Sequence, residues 1–549
     1  MPTCAEVLAR TLAEAGVRRM FGLPGGEILD FIEAARREGI EFVLTRDEGT
    51  ASFMADVTGQ IQRRPGVCVS TLGPGAINMT LGVANAYLDR SPLIAITAAM
   101  STAAAPFATH QNIDLNAVYR PFTKKTIALD GTDTAAKVRR AYRATLEPRM
   151  GPVHIALPSD VARLPDVTTV DASAIPLEPP PAPAPAPAEA GRLSACLRDA
   201  RRPVLILGLD LDPSANRDSV RAFVDHLGVP TFVTPKAKGI LPEDHPLFYG
   251  VCAGVAGDHV IVELLERADL LVGLGFDPVE SDKLWHHTLK LVSAGPASIA
   301  AGDYRPALEV VGDLNETLAA LRQVRFGPFD WPAAELAAFR LELDAALRPA
   351  RPPGRGLSPY EVTRRLRELF PRDTILATDV GSIKSVTSQA WAAYEGLTFF
   401  ESNGLSAMGY GFAGAMAARL LFPDRPVLCT VGDGGFGMVL ADVETCVRHG
   451  IHFVTVVYND SALSLIQVSQ ENKGYPNCGV EYSPVDFAAA SQALGAWSHR
   501  VESMEDLTRA VAEAADVERP VVLDVLIDPT EYRAHAGVAV TREPAAERG

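Results

Sequence analysis

The run GDGGFG from Gly432 to Gly437 follows an apolar stretch, Val427 to Val431, and precedes a helical pattern from Met438 to His449. Its spacing satisfies GxGxxG, in which bare backbone approaches a dinucleotide pyrophosphate. Asp433 argues for a different use. A carboxylate between phosphate-facing glycines repels a pyrophosphate unless a divalent cation lies between them. The ribose-binding acid expected at the end of the next strand is replaced by Tyr458 and Asn459, with Asp460 just beyond. Asp433 and Asn459 each follow an expected strand, and right-handed crossover geometry places both at one sheet edge. Mg²⁺ takes near-octahedral oxygen ligands, and Asp433, Asn459, a loop carbonyl near Ser461, two diphosphate oxygens and a water would complete the set. Gly432, Gly434 and Gly435 let an anion come close, and the following helix start favours it. Two other readings share the pattern: a dinucleotide loop, and a tight strand-to-helix turn capped by Asp433.

Other candidates are weaker when taken singly. Glu48 in TRDEGTASFMADV reads as a first-turn helix acid favoured by the macrodipole. Gly73, Pro74 and Gly75 in STLGPGAIN read as a tight turn, Met408 in SAMGYGFAGA as core filling, and Gln111 as a polar loop residue. Glu27 in FGLPGGEILDF suits a solvated helix start, and His110 a structural hydrogen-bonding role. Lys124 and Lys125 fit one packed stem and one solvated charge.

The elements that must position these residues alternate short β-rich runs with helical patterns, which predicts parallel sheets covered by helices. Strands are expected at Phe42 to Thr45, Val67 to Thr71, Leu93 to Thr97 and Val153 to Leu157. A second group is expected at Val204 to Leu207, Thr231 to Thr234, Leu270 to Leu274 and Ser298 to Ala301. A third comprises Thr374 to Thr378, Val427 to Val431, Phe453 to Tyr458 and Val521 to Val525. Ligands in such sheets sit beyond the carboxyl ends of strands, so the loops after Thr45, Thr71 and Val431 are where chemistry belongs.

Prolines divide the groups. From Pro176 to Pro187, seven of twelve residues are proline, which predicts an extended linker with no core to join. A helix from Ala333 to Leu347 precedes a second break between Arg348 and Gly356. The expected organisation is three doubly wound α/β domains over 1–170, 191–330 and 357–549, joined by a Pro-rich linker at 171–190 and a helix with linker at 331–356.

A length of 549 residues with 47% hydrophobic and 21% charged residues suits several buried cores. The formal charge of −16 repels nucleic acid, no basic run offsets it, and no apolar stretch approaches the 18 to 20 or so residues that span a bilayer. The start lacks the layout of a secretion signal, which predicts a cytoplasmic protein. Seven cysteines at 4, 68, 196, 252, 429, 446 and 478 are odd in number and show no metal-ligand spacing, so they are expected to remain thiols.

Taken in order, GDGGFG with Asn459, TRDEGTASFMADV, STLGPGAIN, SAMGYGFAGA, FGLPGGEILDF and HQNIDLNAVYRPFTKK resemble the thiamin-diphosphate enzymes of the acetolactate synthase type over nearly the whole chain. The resemblance implies pyrimidine-binding, central and diphosphate-binding domains in a homodimer or homotetramer, with active sites between subunits. It implies thiamin diphosphate and Mg²⁺ as cofactors. Glu48 would bond the aminopyrimidine N1′, Met408 would wedge the cofactor into its bent shape, and the Ser406 carbonyl would accept its amino group. Gly73, Pro74 and Gly75 would lie beneath the cofactor, and Gln111 beside the reacting carbonyl. Glu27 stands where many relatives carry a small residue and benzaldehyde lyase a histidine, so it is a candidate to touch substrate. Thr71 lies where a decarboxylase relative presents histidine, and the paired histidines of pyruvate decarboxylase are absent. The activity implied is decarboxylation of a 2-oxo acid, pyruvate first, and ligation to a second oxo acid or an aldehyde. Alternatives are a decarboxylase or benzaldehyde lyase-like enzyme on the same cofactor, a dinucleotide-dependent oxidoreductase, and a non-catalytic cofactor-binding protein. FAD is possible in the central domain, with no contacts assigned.

Overall fold

The computed structural model describes residues 1–252, 254–280, 290–300, 305–348, 354 and 356–536. Apolar β-branched runs bounded by turns build three six-stranded sheets, every pairing parallel. The first contains β1 (Arg19–Leu23), β2 (Glu41–Leu44), β3 (Gly66–Ser70), β4 (Leu93–Ala99), β5 (Lys125–Ala128) and β6 (Pro152–Pro158), in the order β2-β1-β3-β4-β6-β5. The second contains β7 (Pro203–Leu207), β8 (Thr231–Val233), β9 (Phe248–Val251), β10 (Leu270–Leu274), β11 (Leu291–Gly295) and β12 (Leu308–Val311), in the order β12-β11-β10-β7-β8-β9. The third contains β13 (Ile375–Thr378), β14 (Phe399–Glu401), β15 (Val427–Gly432), β16 (Val454–Asn459), β17 (Trp497–Val501) and β18 (Val521–Leu526), in the order β14-β13-β15-β16-β18-β17. The expected doubly wound α/β class is what the chain adopts.

Central strands such as β3, β7 and β10 are buried along their whole length, which is why their apolar runs read clearly. The strands not expected from sequence include β5, β9, β12, β14 and β17, all at sheet edges, where one side lacks a neighbour and the apolar run is short or mixed. β1 lies inside its sheet and was also not expected.

One expected strand is corrected. Ser298 to Ala300 is not a strand, and Ala301 lies outside the described residues; the strand is Leu291–Gly295 instead. Pro296 ends the ladder, and Glu309 then takes the groups a strand would have paired. Its carboxylate accepts the Ile299 N–H at 2.7 Å and the Ser298 hydroxyl at 2.8 Å.

The helix Ala333–Leu347 forms with the expected bounds and buries Phe339, Leu343 and Leu347. Pro176 to Ala186 contains no helix or strand, but the segment is tethered: the Asp313 N–H donates to the Pro183 carbonyl at 2.8 Å, and Arg139 Nε donates to the Ile175 carbonyl at 2.7 Å. Most of the second break lies outside the described residues.

The first and third sheets share one core. The helix Glu48–Gln62 follows β2, the helix Tyr410–Leu421 follows β14, and the two pack together with Phe53 edge-on to Tyr410 at 5.6 Å. Gly414 allows the approach, since a β-carbon there would lie 3.3 Å from Val57 Cγ2 on the first helix. Among the described residues, no helix is long and apolar enough to cross a membrane.

Candidate active site

In the third sheet the strand order reverses between β13 and β15, so their carboxyl ends leave a crevice. A cavity of about 350 Å³ lies there, lined by the 381–385 helix start, Ser406, Met408, the 432–435 segment and the 460–466 turn, with Glu280 on the middle-domain wall. GDGGFG is not a free loop. β15 runs to Gly432 and the helix starts at Asp433, ending at Val439 before a second helix, Asp442–His449, so the expected helical pattern is two helices with the glycines in the first turn. A β-carbon on Gly435 would lie 2.0 Å from Asp379 Oδ2, so only glycine lets this turn pass the buried end of β13.

Asp433 is buried at the cavity floor. Its carboxylate accepts the Gly434 N–H at 2.6 Å and the Ser461 N–H at 2.5 Å. Burial, and secondarily the nearby Asp460 carboxylate, pushes Asp433 up to about 7 against these hydrogen bonds. Asp460 is raised by burial in the same way, and its Oδ1 accepts the Ala462 N–H at 3.1 Å.

Asn459 sits differently from the expected oxygen set. Its side-chain amide donates to Asp524 Oδ1 at 2.8 Å and to the Val485 carbonyl at 3.1 Å, and it does not line the cavity, whereas Asp460 and Ala462 do. Asn459 is still a β16 residue, paired in register with Leu526, and side chains alternate along a strand. Residue 459 therefore points to the face of the sheet where it meets Asp524 of β18, and residue 460, the first beyond the strand, lines the crevice. Ser461 is present through its backbone N–H, not its hydroxyl.

Met408 reaches over the floor, with its methyl 3.2 Å from where a Gly434 β-carbon would be. Ser406, at φ 56, is exposed in the same segment. The helix Ser382–Ala390 was not expected from the sequence; the signal available was the glycine-serine pair Gly381-Ser382 shortly after the β-run ending at Thr378. Its first turn lines the cavity, and the buried Ser382 hydroxyl has no hydrogen-bond partner among the described residues. Lys384 Nζ donates to Asn403 Oδ1 at 2.8 Å and to the Ser402 carbonyl at 3.1 Å.

The remaining expected residues form a second cluster on the first sheet. Asp47 caps the Glu48–Gln62 helix through the Gly49 N–H at 2.7 Å, which leaves Glu48 at the first helical position, buried at 5% exposure. Asn78 Nδ2 donates to Glu48 Oε2 at 3.2 Å, and Glu48 Oε1 lies 2.7 Å from the place of a β-carbon on Gly75. The turn needs Gly73, at φ 65 and ψ −117, and a β-carbon there would press on Gln111 at 3.0 Å. Pro74 starts the short helix Pro74–Asn78. The Thr71 hydroxyl donates to Glu27 Oε2 at 2.8 Å. His110 is exposed; Lys124 donates to the Glu147 carbonyl at 2.6 Å while Lys125 is exposed on β5. Among the described residues lining the cavity, none precedes Gly254. Within one chain, then, Glu48, Glu27, Gln111 and the Gly73 turn are not brought to Asp433.

Three family models match the chain in this order: the thiamine pyrophosphate enzyme N-terminal TPP binding domain at 2–118, the central domain at 191–321 and the C-terminal TPP binding domain at 379–525. The chain belongs to the thiamine pyrophosphate enzymes. It is similar to a putative acetolactate synthase large subunit of Mycobacterium tuberculosis, 31% identical with 96% of this chain and 98% of the relative covered. It is also similar to the catabolic acetolactate synthase of Raoultella terrigena, at 29% with 96% and 95% covered. A probable 2-ketoarginine decarboxylase of Pseudomonas aeruginosa is 30% identical, with 92% and 91% covered.

A thiamine pyrophosphate enzyme must seat a diphosphate. The helix start at Ser382, its unpartnered hydroxyl and the bare glycine surface fit one, and the hard oxygens of Asp433 and Asp460 fit a divalent cation beside it. Among the described residues, the corresponding crevice of the middle sheet, between β7 and β10, offers a flavin dinucleotide no opening. The loops there bond each other: the Gly208 N–H to the Leu274 carbonyl at 3.0 Å and the Asp210 N–H to the Gly275 carbonyl at 2.9 Å. Two carboxylates occupy the mouth, Asp277 buried and Asp210 half-buried. Asp277 is ion-paired to Arg90 at 2.8 Å, and burial pushes Asp210 up to about 6. The stretch from Ala237 turns to the third domain instead, with Lys238 Nζ on the Ser388 carbonyl at 2.7 Å.

Proposed function

We propose that the chain is an acetolactate synthase-like carboligase. It would decarboxylate a 2-oxo acid, pyruvate first, and join the remaining fragment to a second oxo acid or an aldehyde. The observation that carries the reading is the pair of complementary half-sites: a diphosphate-sized cavity with two acidic side chains on the third sheet, and a buried glutamate beside a glycine turn on the first. The Glu48 cluster lies outside its own chain's cavity, which supports two copies completing each other's sites in a homodimer or homotetramer. Exposed Ile77 and Leu81 beside Asn78, each 39% exposed, offer apolar surface for that contact.

Bound thiamin diphosphate supplies a nucleophilic carbon and an electron sink when CO₂ leaves. The first turn at Ser382 holds the diphosphate. Asp433, Asp460 and a carbonyl of the 460–462 turn supply oxygens to Mg²⁺, with Asp460 in the place expected for Asn459. The Glu48 carboxyl, shielded from water and steadied by Asn78, moves a proton at the aminopyrimidine N1′. Met408 fills the space beneath the ring system, and the Ser406 carbonyl accepts its amino group. Gln111 and the Glu27–Thr71 pair face the incoming acceptor.

A simple decarboxylase is the second reading. It is favoured by the Glu27 carboxyl, held by Thr71 where it could protonate the fragment, and by the similarity to a probable 2-ketoarginine decarboxylase. Mass spectrometry of products from paired 2-oxo acids and aldehydes, with Glu48→Gln as control, separates them. Acetolactate or an acyloin supports ligation, free aldehyde alone supports decarboxylation, and no thiamin-dependent product from any pair defeats both.

A further inference from the structure

The segment between β14 and the helix Tyr410–Leu421 carries Ser406 and Met408, and it is held by the first domain of the same chain together with Lys384 and Asp379 of its own domain. Asn85, fully buried, donates from Nδ2 to Asp56 Oδ2 at 2.6 Å and to Asp89 Oδ2 at 3.1 Å. Its Oδ1 accepts the hydroxyl of Ser402, whose Oγ in turn accepts the Ala407 N–H at 2.9 Å. Asp89 Oδ1 accepts the Gly404 N–H at 2.8 Å. The middle domain closes this cluster. Lys236 Nζ lies 2.8 Å from Asp89 Oδ2, donates to Gln60 Oε1 at 3.0 Å and stands 5.6 Å from the Tyr410 ring centre. Gln60 then donates to Asp56 at 2.8 Å and to the Tyr410 hydroxyl at 3.1 Å. Beyond Met408, Asp379 accepts the Gly409 N–H at 2.9 Å.

Every fixed point of the segment is thus tied, at Ser402, Gly404, Ala407 and Gly409, while Leu405, Ser406 and Met408 lie between the ties. Two carboxylates and one ammonium buried together are costly unless fully bonded, so the cluster has one well-satisfied arrangement and resists sliding of the backbone it holds. We propose that Asn85, Asp89 and Lys236 are positioning residues that fix the 402–409 segment, so that Ser406 and Met408 meet the aminopyrimidine and thiazolium rings of the cofactor in one conformation. This rests on the reading that those two residues seat thiamin diphosphate.

The test compares two probes on the full-length protein with Mg²⁺: thiamin diphosphate, which would need the segment, and inorganic pyrophosphate, which would need only the third-sheet floor. For Asn85→Ala and Ser402→Ala, calorimetric affinity for pyrophosphate should stay at the wild-type value. Affinity for thiamin diphosphate and the exchange rate of its C2 proton in D₂O, read by NMR, should each fall about tenfold. Lys236→Met should give the same split through Asp89. Should Asn85→Ala fail to fold, Ser402→Ala, which removes one hydroxyl, carries the comparison. Variants that bind and exchange thiamin diphosphate like the wild type, or that lose both probes equally, would overturn the positioning role. A wild-type protein that does not bind thiamin diphosphate would strike the functional reading instead.

Discussion

The first and third sheets have the same strand order, with the second strand of each at one edge and the reversal between the first and third strands. They put that shared frame to opposite uses. At the reversal in the third sheet the crevice stays open over Asp433. At the equivalent place in the first sheet it is filled by the Thr71–Glu27 hydrogen bond, with Gln111 against Gly73. The edge strands differ as well. From β2 the chain passes almost directly into its helix, which leaves Glu48 at the first helical position. From β14 it makes a longer excursion before Tyr410, and that excursion carries Ser406 and Met408. Equivalent loops of one topology thus present a buried acid on one side, proposed above to handle a proton, and a longer segment bearing Met408 on the other, proposed to wedge the cofactor. Function is decided by loop length and residue type on a common scaffold.

The contrast can be broken first at Glu48. Glu48→Gln keeps the shape of the first half-site but removes its proton, and kcat should fall by about 10² to 10⁴ with thiamin diphosphate affinity little changed, measured by steady-state kinetics beside calorimetry. On the opposite sheet, Asp433→Asn or chelation by EDTA should weaken Mg²⁺-dependent thiamin diphosphate binding by about 10- to 100-fold, with added Mg²⁺ rescuing only the chelated wild type.

A third experiment concerns what lies under the first half-site. His154 is fully buried, stacked on Tyr119 at 4.1 Å and bonded to Thr97 at 2.9 Å, and Tyr119 in turn donates to the Ala76 carbonyl of the glycine turn. Burial holds His154 down to about 3, below its ordinary value of 6.5. A depressed value means that the folded state keeps the ring neutral, so this stability is present above pH 6.5 and is lost as pH falls from there toward 3. Urea melts should lose about 1.4 kcal/mol per pH unit in that window from this group, a slope that His154→Phe removes. The smallest effect is expected at Glu27. Glu27→Gln should change total turnover by a few-fold, about 1 kcal/mol, while shifting the ratio of ligated product to free aldehyde. An unchanged ratio would leave Glu27 as a fold residue held by Thr71.

The candidate site was legible mainly because its short segments occur together in one order. Taken singly, a glycine run after a buried strand, an acid in a first helical turn and a Gly-Pro-Gly turn each have a plain structural reading, and only together do they point to the family. The end of β16 at Asn459 shows the limit. The strand extends one residue further than its apolar run, and with side chains alternating every residue that single step exchanges a sheet-facing amide for a cavity-facing carboxylate. The Ser382 helix start escaped for another reason: one Gly-Ser pair carries little information until its strand is known to border the reversal. The edge strands were missed for two reasons: β5 and β12 are partly exposed and mixed in character, and β9 and β14, though mostly buried, are only four and three residues long.

Sequence alone determined the α/β class, since hydrophobic period and turn spacing act over a few residues, and the family, since several motifs resemble it in one order; it also supplied the candidates proposed to hold a diphosphate and move a proton. Tertiary structure decided which side chains face the crevice, that the middle sheet's crevice is closed by its own backbone and ion pairs, and that one chain keeps its acid apart from its cavity. Those outcomes depend on strand order, side-chain alternation and contacts between residues hundreds of positions apart, such as Asn85 and Ser402, which no local pattern encodes.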